Sequence, residues 1–142
     1  MKYWVIVGLL LTWPSCESPT LNLSEEITRE FKASGRTFVN LAQVLPSAWD
    51  KVCIHGPYSS SKHAYETLGF VWSVETQSSI SASDRIALLL FVKNAEVVKF
   101  VEHPRRDGDF ANLSCQCFVR EKATFHHQTN PPKGWPGLFP KT

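Results

Sequence analysis

Apolar and polar positions follow several rhythms along this chain. Residues 3–13 are almost continuously apolar and Pro14 closes the run. Leu23, Ile27 and Phe31 then recur at every fourth position, the stripe of an amphipathic helix. Ser24 reads as its N-cap, Glu25 and Glu26 suit the positive end of the helix dipole, and Gly35 is a natural stop. Residues 37–48 are ambiguous: Asn40 is placed to cap a short helical turn through Val44, which Pro46 would end. Lys51–His55 reads as a strand broken by Gly56-Pro57, and Ser60 to Leu68 as a second helix stopped at Gly69. Phe70–Val74 is expected to add a further strand.

The strongest signal is Arg85–Val92, apolar at nearly every position, which predicts a central strand covered on both faces. Lys93-Asn94-Ala95 turns it into Glu96–Val101, a hairpin partner. His103–Asp109 reads as a polar loop and Leu113–Val119 as the last strand. From about Thr129 prolines dominate, and the tail is expected to be extended or loosely docked through Trp135, Leu138 and Phe139. The elements predict an α+β fold: a mostly antiparallel sheet of four to five strands with two helices packed on one face.

The opening run takes its meaning from its flanks. Met1 and Lys2 precede it, and Ser15 stands directly before Cys16. That order is an export signal, and the run is well short of the roughly 20 apolar residues of a helical membrane span. Trp13, at −3 to a cut after Ser15, suits ordinary signal cleavage poorly. The Ser15-Cys16 junction resembles a bacterial lipobox, although Trp13 and Pro14 depart from its pattern. The resemblance implies lipidation at Cys16, and Glu17 leans towards the outer membrane. The competing reading makes Tyr3–Leu11 a structural strand or helix. The expected organisation is 1–16 signal peptide with a lipobox-like end, 17–128 a single α+β domain and 129–142 a Pro-rich tail.

Charge excludes one class. The chain carries 15 basic and 13 acidic residues; without Lys2 the balance is 14 against 13, or +1. Such a chain has no electrostatic footprint for nucleic acid. The cysteines left after Cys16 are Cys53, Cys115 and Cys117, which in an oxidising compartment allow one disulfide and one spare thiol. Cys115 and Cys117 would share a strand face, so a bond between them is disfavoured. Cys53–Cys117 is the first choice, and Cys53–Cys115 stays open.

Three clusters are candidates for chemistry. Tyr58, Ser59 and Ser60 precede a helix, a plausible anion site, without P-loop spacing. In the loop at 102–109, His103 could act as a base oriented by Asp107, and Arg105 and Arg106 could hold a carboxylate or phosphate. A self-neutralising, solvated loop is the plainer reading. Cys53 with His55 is a weak thiol–base pair, because a disulfide would remove the nucleophile. His126 and His127 point apart on an extended segment, and no Cys/His spacing resembles a zinc site, so neither metal nor cofactor is expected. Trp49, Trp72 and Tyr58 are expected in the core or at its rim. Asn22-Leu23-Ser24 and Asn112-Leu113-Ser114 match the glycosylation sequon, which matters only in a eukaryotic secreted protein.

The stretch Trp49-Asp50-Lys51-Val52-Cys53-Ile54-His55-Gly56-Pro57-Tyr58 resembles a segment of small exported bacterial proteins of unknown function. These pair it with a hairpin, an E-H-P-R-like loop and a late Cys followed by a basic residue, here Glu102–Arg105 and Cys117 with Arg120. The resemblance covers roughly residues 40–120, implies no activity and favours Cys53–Cys117. The expectation is a non-enzymatic envelope lipoprotein, immunity or accessory in type. It would bind a protein or envelope partner through a sheet face or the charged loop, and touch membrane only through its lipid anchor. The alternative is a small periplasmic hydrolase using His103 with Asp107 or Glu102.

Overall fold

The computed structural model describes residues 21–142. The signal-like segment, Cys16 and residues 17–20 therefore lie outside the described residues. Two antiparallel sheets and two longer helices form an α+β fold.

Helix α1 (Leu23–Ala33) is capped by Asn22, two residues before the expected Ser24. Asn22 and Glu25 cap each other's backbone N–H groups in a capping box. Its stripe of Leu23, Ile27 and Phe31 is buried, as the four-residue spacing predicts. Strand β1 (Phe38–Asn40) leads into the short α2 (Leu41–Val44), capped by the Asn40 side chain. Strand β2 (Lys51–His55) and helix α3 (Ser61–Leu68) also fall where the pattern puts them, with Gly69 left-handed at the helix end. Phe70–Val74 is not a strand: Phe70, Val71, Trp72 and Ser73 are irregular and Val74 opens a short helix, α4 (Val74–Gln77). Trp72 there packs edge-on against Phe100, 5.2 Å between centroids. Its apolar surface meets a strand's side chains rather than extending the ladder.

Strands β3 (Ile86–Lys93) and β4 (Glu96–Pro104) form the predicted hairpin. Asn94 and Ala95 both take positive φ, 49° and 59°, the handedness a two-residue hairpin turn requires. Strand β5 (Gln116–Val119) completes a sheet ordered β4-β3-β2-β5. A second sheet, ordered β1-β6-β7, uses β6 (Thr124–Gln128) and β7 (Gly137–Pro140).

Four expectations fail here. The strands form two sheets rather than one of four to five strands. Leu113–Val119 is not the last strand: Ala111–Leu113 is a tight turn, β5 begins at Gln116, and two strands follow it. The helices are not on one face. Val52, Ile54, Leu89 and Phe91 pack under α1, α2 and the small sheet, while Leu88, Leu90 and Val92 pack under α3 and α4. A strand apolar on both sides needs a cover on both sides, so the large sheet becomes the middle of three layers. Nor is the proline-rich tail loose: Gly137–Pro140 pairs with Gln128–Phe125, and Leu138 is fully buried. The prolines stand at 131, 132, 136 and 140, so the bonded stretch carries only the last of them, at the edge of the sheet. Gly137 is required because a Cβ there would lie 2.8 Å from the Asp109 carbonyl.

Cys53 and Cys117 stand opposite each other on β2 and β5 and form the disulfide. Cys115 is exposed, at φ 64°, outside the strand, so its side chain does not share the face of Cys117 as a continuous strand would require.

Candidate functional site

Strand β4 continues three residues further than its hydrophobic pattern, through Glu102, His103 and Pro104. Alternation then carries His103 inward on the same face as Val101, and it is fully buried rather than part of a polar loop. Its Nε2 lies 3.1 Å from the Asp107 carbonyl, which can only accept, so Nε2 carries the proton. Nδ1 then accepts from the Ser24 hydroxyl at 2.9 Å. Burial pushes the imidazole below its ordinary pKa, against the opposing pull of Asp107 and Asp109. Both nitrogens are engaged and neither faces solvent. The Asp107 carboxylate does not orient the ring; its backbone carbonyl does.

Glu102, next on β4, faces the opposite layer. Its Oε1 accepts from Ser79 N–H at 2.7 Å, Ser78 Oγ at 2.8 Å and Ser79 Oγ at 3.0 Å. Burial works to raise its pKa, but these bonds outweigh it and the net shift is downward.

A tight turn, Arg105–Asp107, follows β4. Arg105 N–H bonds the Arg85 carbonyl at 2.9 Å, extending the β3–β4 ladder by one residue. The Arg105 side chain grips Asp109 through Nε (3.0 and 3.1 Å) and Nη2 (2.9 Å), and Nη1 donates to the Asp84 carbonyl at 2.8 Å. Asp109 raises the guanidinium pKa still further. Asp109 also accepts from Ala111 N–H at 2.8 Å and Trp135 Nε1 at 3.0 Å. The Trp135 ring lies 5.5 Å from the Arg105 guanidinium, and its backbone N–H and carbonyl are both bonded by the Asn112 amide. An indole 45% exposed is thus fixed at the surface. Arg106 is left outside: its side chain is 86% exposed, with only a 3.8 Å contact to Asp107. Of the four residues expected in the binding loop, the structure leaves Arg106 exposed, half-buries Arg105 and Asp107 and removes His103 to the core. Sequence reasoning placed Asp109 in the charged loop but gave it no role. Trp135, Leu138 and Phe139 in the proline-rich tail were the signals that this segment docks.

The serine cluster is organised by the chain itself. Ser60 caps α3, exchanging bonds with His63, and buried Ser59 donates to the Gly56 carbonyl at 2.7 Å. Tyr58 is 60% exposed at φ 62°. The Glu75 carboxylate accepts from both Ser61 N–H and Ser61 Oγ. Those bonds hold Glu75 below the usual carboxylate pKa. An internal anion therefore takes the place proposed for an external one.

Trp49 is buried and Trp72 half-buried. His55 is fully buried without a hydrogen-bond partner at either nitrogen among the described residues, and burial, reinforced by nearby His63, lowers its pKa to about 4. His126 stacks on Phe38 and His127 lies beside Phe31. No three His, Cys, Asp or Glu side chains converge as a metal site among the described residues. In both sequons a side chain is already committed: Ser24 to His103, and the Asn112 amide to Trp135. Comparison of the chain with protein-family models, with curated proteins and with solved structures finds no match.

Proposed function

We propose that this protein is a non-enzymatic cell-envelope lipoprotein that binds a protein or envelope partner, of the immunity or accessory type. The observation that carries this reading is the structural employment of His103. A hydrolase needs its base within reach of a substrate proton. His103 is fully buried with both nitrogens bonded, and Glu102 faces the other side of β4. The hydrolase reading would require His103 to leave the core. What remains exposed around the 105–109 turn is an arginine-lined rim beside a fixed indole, residue types that dominate binding surfaces.

The export signal ending at Cys16 supports a lipid anchor, and Glu17 supports the periplasmic face of the outer membrane. Palmitate labelling and fractionation of wild type and Cys16→Ser test the anchor. Label is expected in the wild-type envelope fraction and absent from the variant. Cross-linking of the wild-type protein in envelope fractions tests the binding role, with a specific adduct expected. A full-length, unlabelled, cytosolic product, or failure to form any adduct, would defeat the reading.

A further inference from the structure

We propose that the contact site is the surface on either side of Arg105 and Trp135, and that it takes an acidic, apolar-bearing segment of a partner protein. This rests on the binding reading above and adds the partner's chemistry. Arg105 stands between two clefts. One, of about 720 Å³, runs past Arg85, Ile86, Pro104 and Arg106; the other, of about 420 Å³, lies between Pro57, Ala111 and Trp135.

The charges around these clefts are unequal in what they leave free. Arg85, Arg105 and Arg106 line the larger cleft with Asp84 and Asp109; Asp107 lies in the same turn as Arg105 and Arg106, and Arg36 reaches that turn at its backbone. Arg105 and Asp109 neutralise each other through a two-pronged contact. Neither Arg85 nor Asp84 makes an ion pair among the described residues, and Arg106 reaches Asp107 only at 3.8 Å. Arg36 donates to the Arg106 carbonyl at 3.0 Å. Four guanidinium groups thus meet three carboxylates, and the excess leaves unused guanidinium N–H groups at the rim, geared to carboxylate. Beside it stands Trp135, exposed yet held at its indole nitrogen and at both backbone groups. A rigid anchor loses little freedom when a partner covers it, the property of a binding hot spot. The near-neutral chain offers no long-range pull on a polyanion such as nucleic acid or an anionic membrane. A short acidic segment, with an apolar side chain to lie on Trp135 and Pro57, matches both halves of the surface.

The test is panning of a random heptapeptide display library on the detergent-purified full-length protein. Enriched peptides are expected to join Asp or Glu to an aromatic or aliphatic residue. Their affinity is expected to fall about tenfold or more in Arg85→Glu/Arg106→Glu. Both side chains are exposed and hold no element in place, so the variant keeps its melting temperature. Peptides with the acids changed to Lys are expected to recover binding to that variant but not to wild type. Trp135→Phe, which keeps an apolar ring and loses the Asp109 bond, is expected to weaken binding less than the double reversal. No enrichment, enrichment of basic or uncharged peptides, indifference to the reversal, or preferential capture of phosphatidylethanolamine–phosphatidylglycerol vesicles would overturn the proposal. An envelope cross-link formed equally by wild type and reversal variant would overturn this site while sparing the binding role. Loss of the adduct from wild type as well would strike the binding role itself.

Discussion

The Ser24 hydroxyl donates to Nδ1 of His103 at 2.9 Å, across 79 residues of sequence. The bond ties the first turn of α1 to the end of β4 and fixes the imidazole tautomer, with Nε2–H directed to the Asp107 carbonyl. Ser24→Ala leaves a buried nitrogen unpaired, a cost of about 1–2 kcal/mol. His103→Ala also removes the ring that packs edge-on to Phe110 and is expected to cost about 3 kcal/mol or more. Urea unfolding separates the two. A wild-type midpoint for Ser24→Ala would show that the bond contributes nothing to folding.

His55 makes folding acid-sensitive. Its folded pKa, about 4, lies below the ordinary 6.5. The unfolded chain therefore takes up the proton first as pH falls. The stability that neutral His55 contributes is complete above about pH 6.5, declines down to about pH 4 and is gone below it. The full loss is on the order of 3 kcal/mol. His55→Leu removes two unpaired polar atoms from the interior. It is expected to be neutral or stabilising at pH 7 and to flatten this part of the acid-unfolding curve. An unchanged slope between pH 6.5 and 4 in the variant would assign the sensitivity elsewhere.

Local periodicity made much of this fold legible. The i,i+4 stripe of α1, the serine cap and Gly69 stop of α3, and the two-faced apolar run of β3 are each decided within a few residues. Strands β1, β6 and β7 were not, because each is short and finds its partner far along the chain: Val39 opposes Phe125 and His126 opposes Phe139. His103 was half legible. Extending the alternation of β4 from Val101 by two residues places it inside, but the surrounding charges mask that rhythm. The Asp109–Trp135 bond had no local signal at all, since its two ends meet only after the tail folds back.

Arg120, the basic residue after Cys117 in the resembling pattern, has a structural role. Its guanidinium donates to the carbonyls of Ser47 at 2.8 Å, Ala42 at 3.3 Å and Leu45 at 3.4 Å, and lies 4.8 Å from the Trp49 ring centre. It closes the segment after α2; the Leu45 carbonyl also accepts from the Trp49 indole N–H at 2.8 Å. Arg120→Ala is expected to lower stability by about 2–3 kcal/mol. Arg120→Lys should recover little of it, because an ammonium cannot span three carbonyls and stack at once. Full rescue by Lys in thermal melts would reduce the role of Arg120 to its charge.

The disulfide joins residues 64 apart. Loop-closure entropy gives it about 4 kcal/mol, so Cys53→Ala/Cys117→Ala should fall in stability by roughly that amount. Cys115→Ser should have little effect, because that thiol is exposed while the backbone N–H bonds the Ile54 carbonyl at 2.8 Å whatever the side chain. Alkylation mapped by mass spectrometry is expected to label Cys115 in the native protein, and Cys53 and Cys117 only after reduction. Native labelling of Cys117 would reopen the Cys53–Cys115 pairing.

Truncation after Gln128 tests whether the tail belongs to the domain. The cut deletes β7, exposes the ladder edge of β6 and empties the buried position of Leu138 beside Phe125. Loss of a buried Leu alone costs about 2–5 kcal/mol. The same cut removes Trp135, leaving Asp109 and Asn112 without their bonds to the tail. Losses of this size approach the whole stability of a small domain, about 5–15 kcal/mol. The truncated chain is therefore expected to unfold or to melt far below the full-length protein. Truncation after Pro140, which keeps every one of these contacts, should leave the melting temperature nearly unchanged. Equal melting of all three chains would mean that the small sheet is closed without β7.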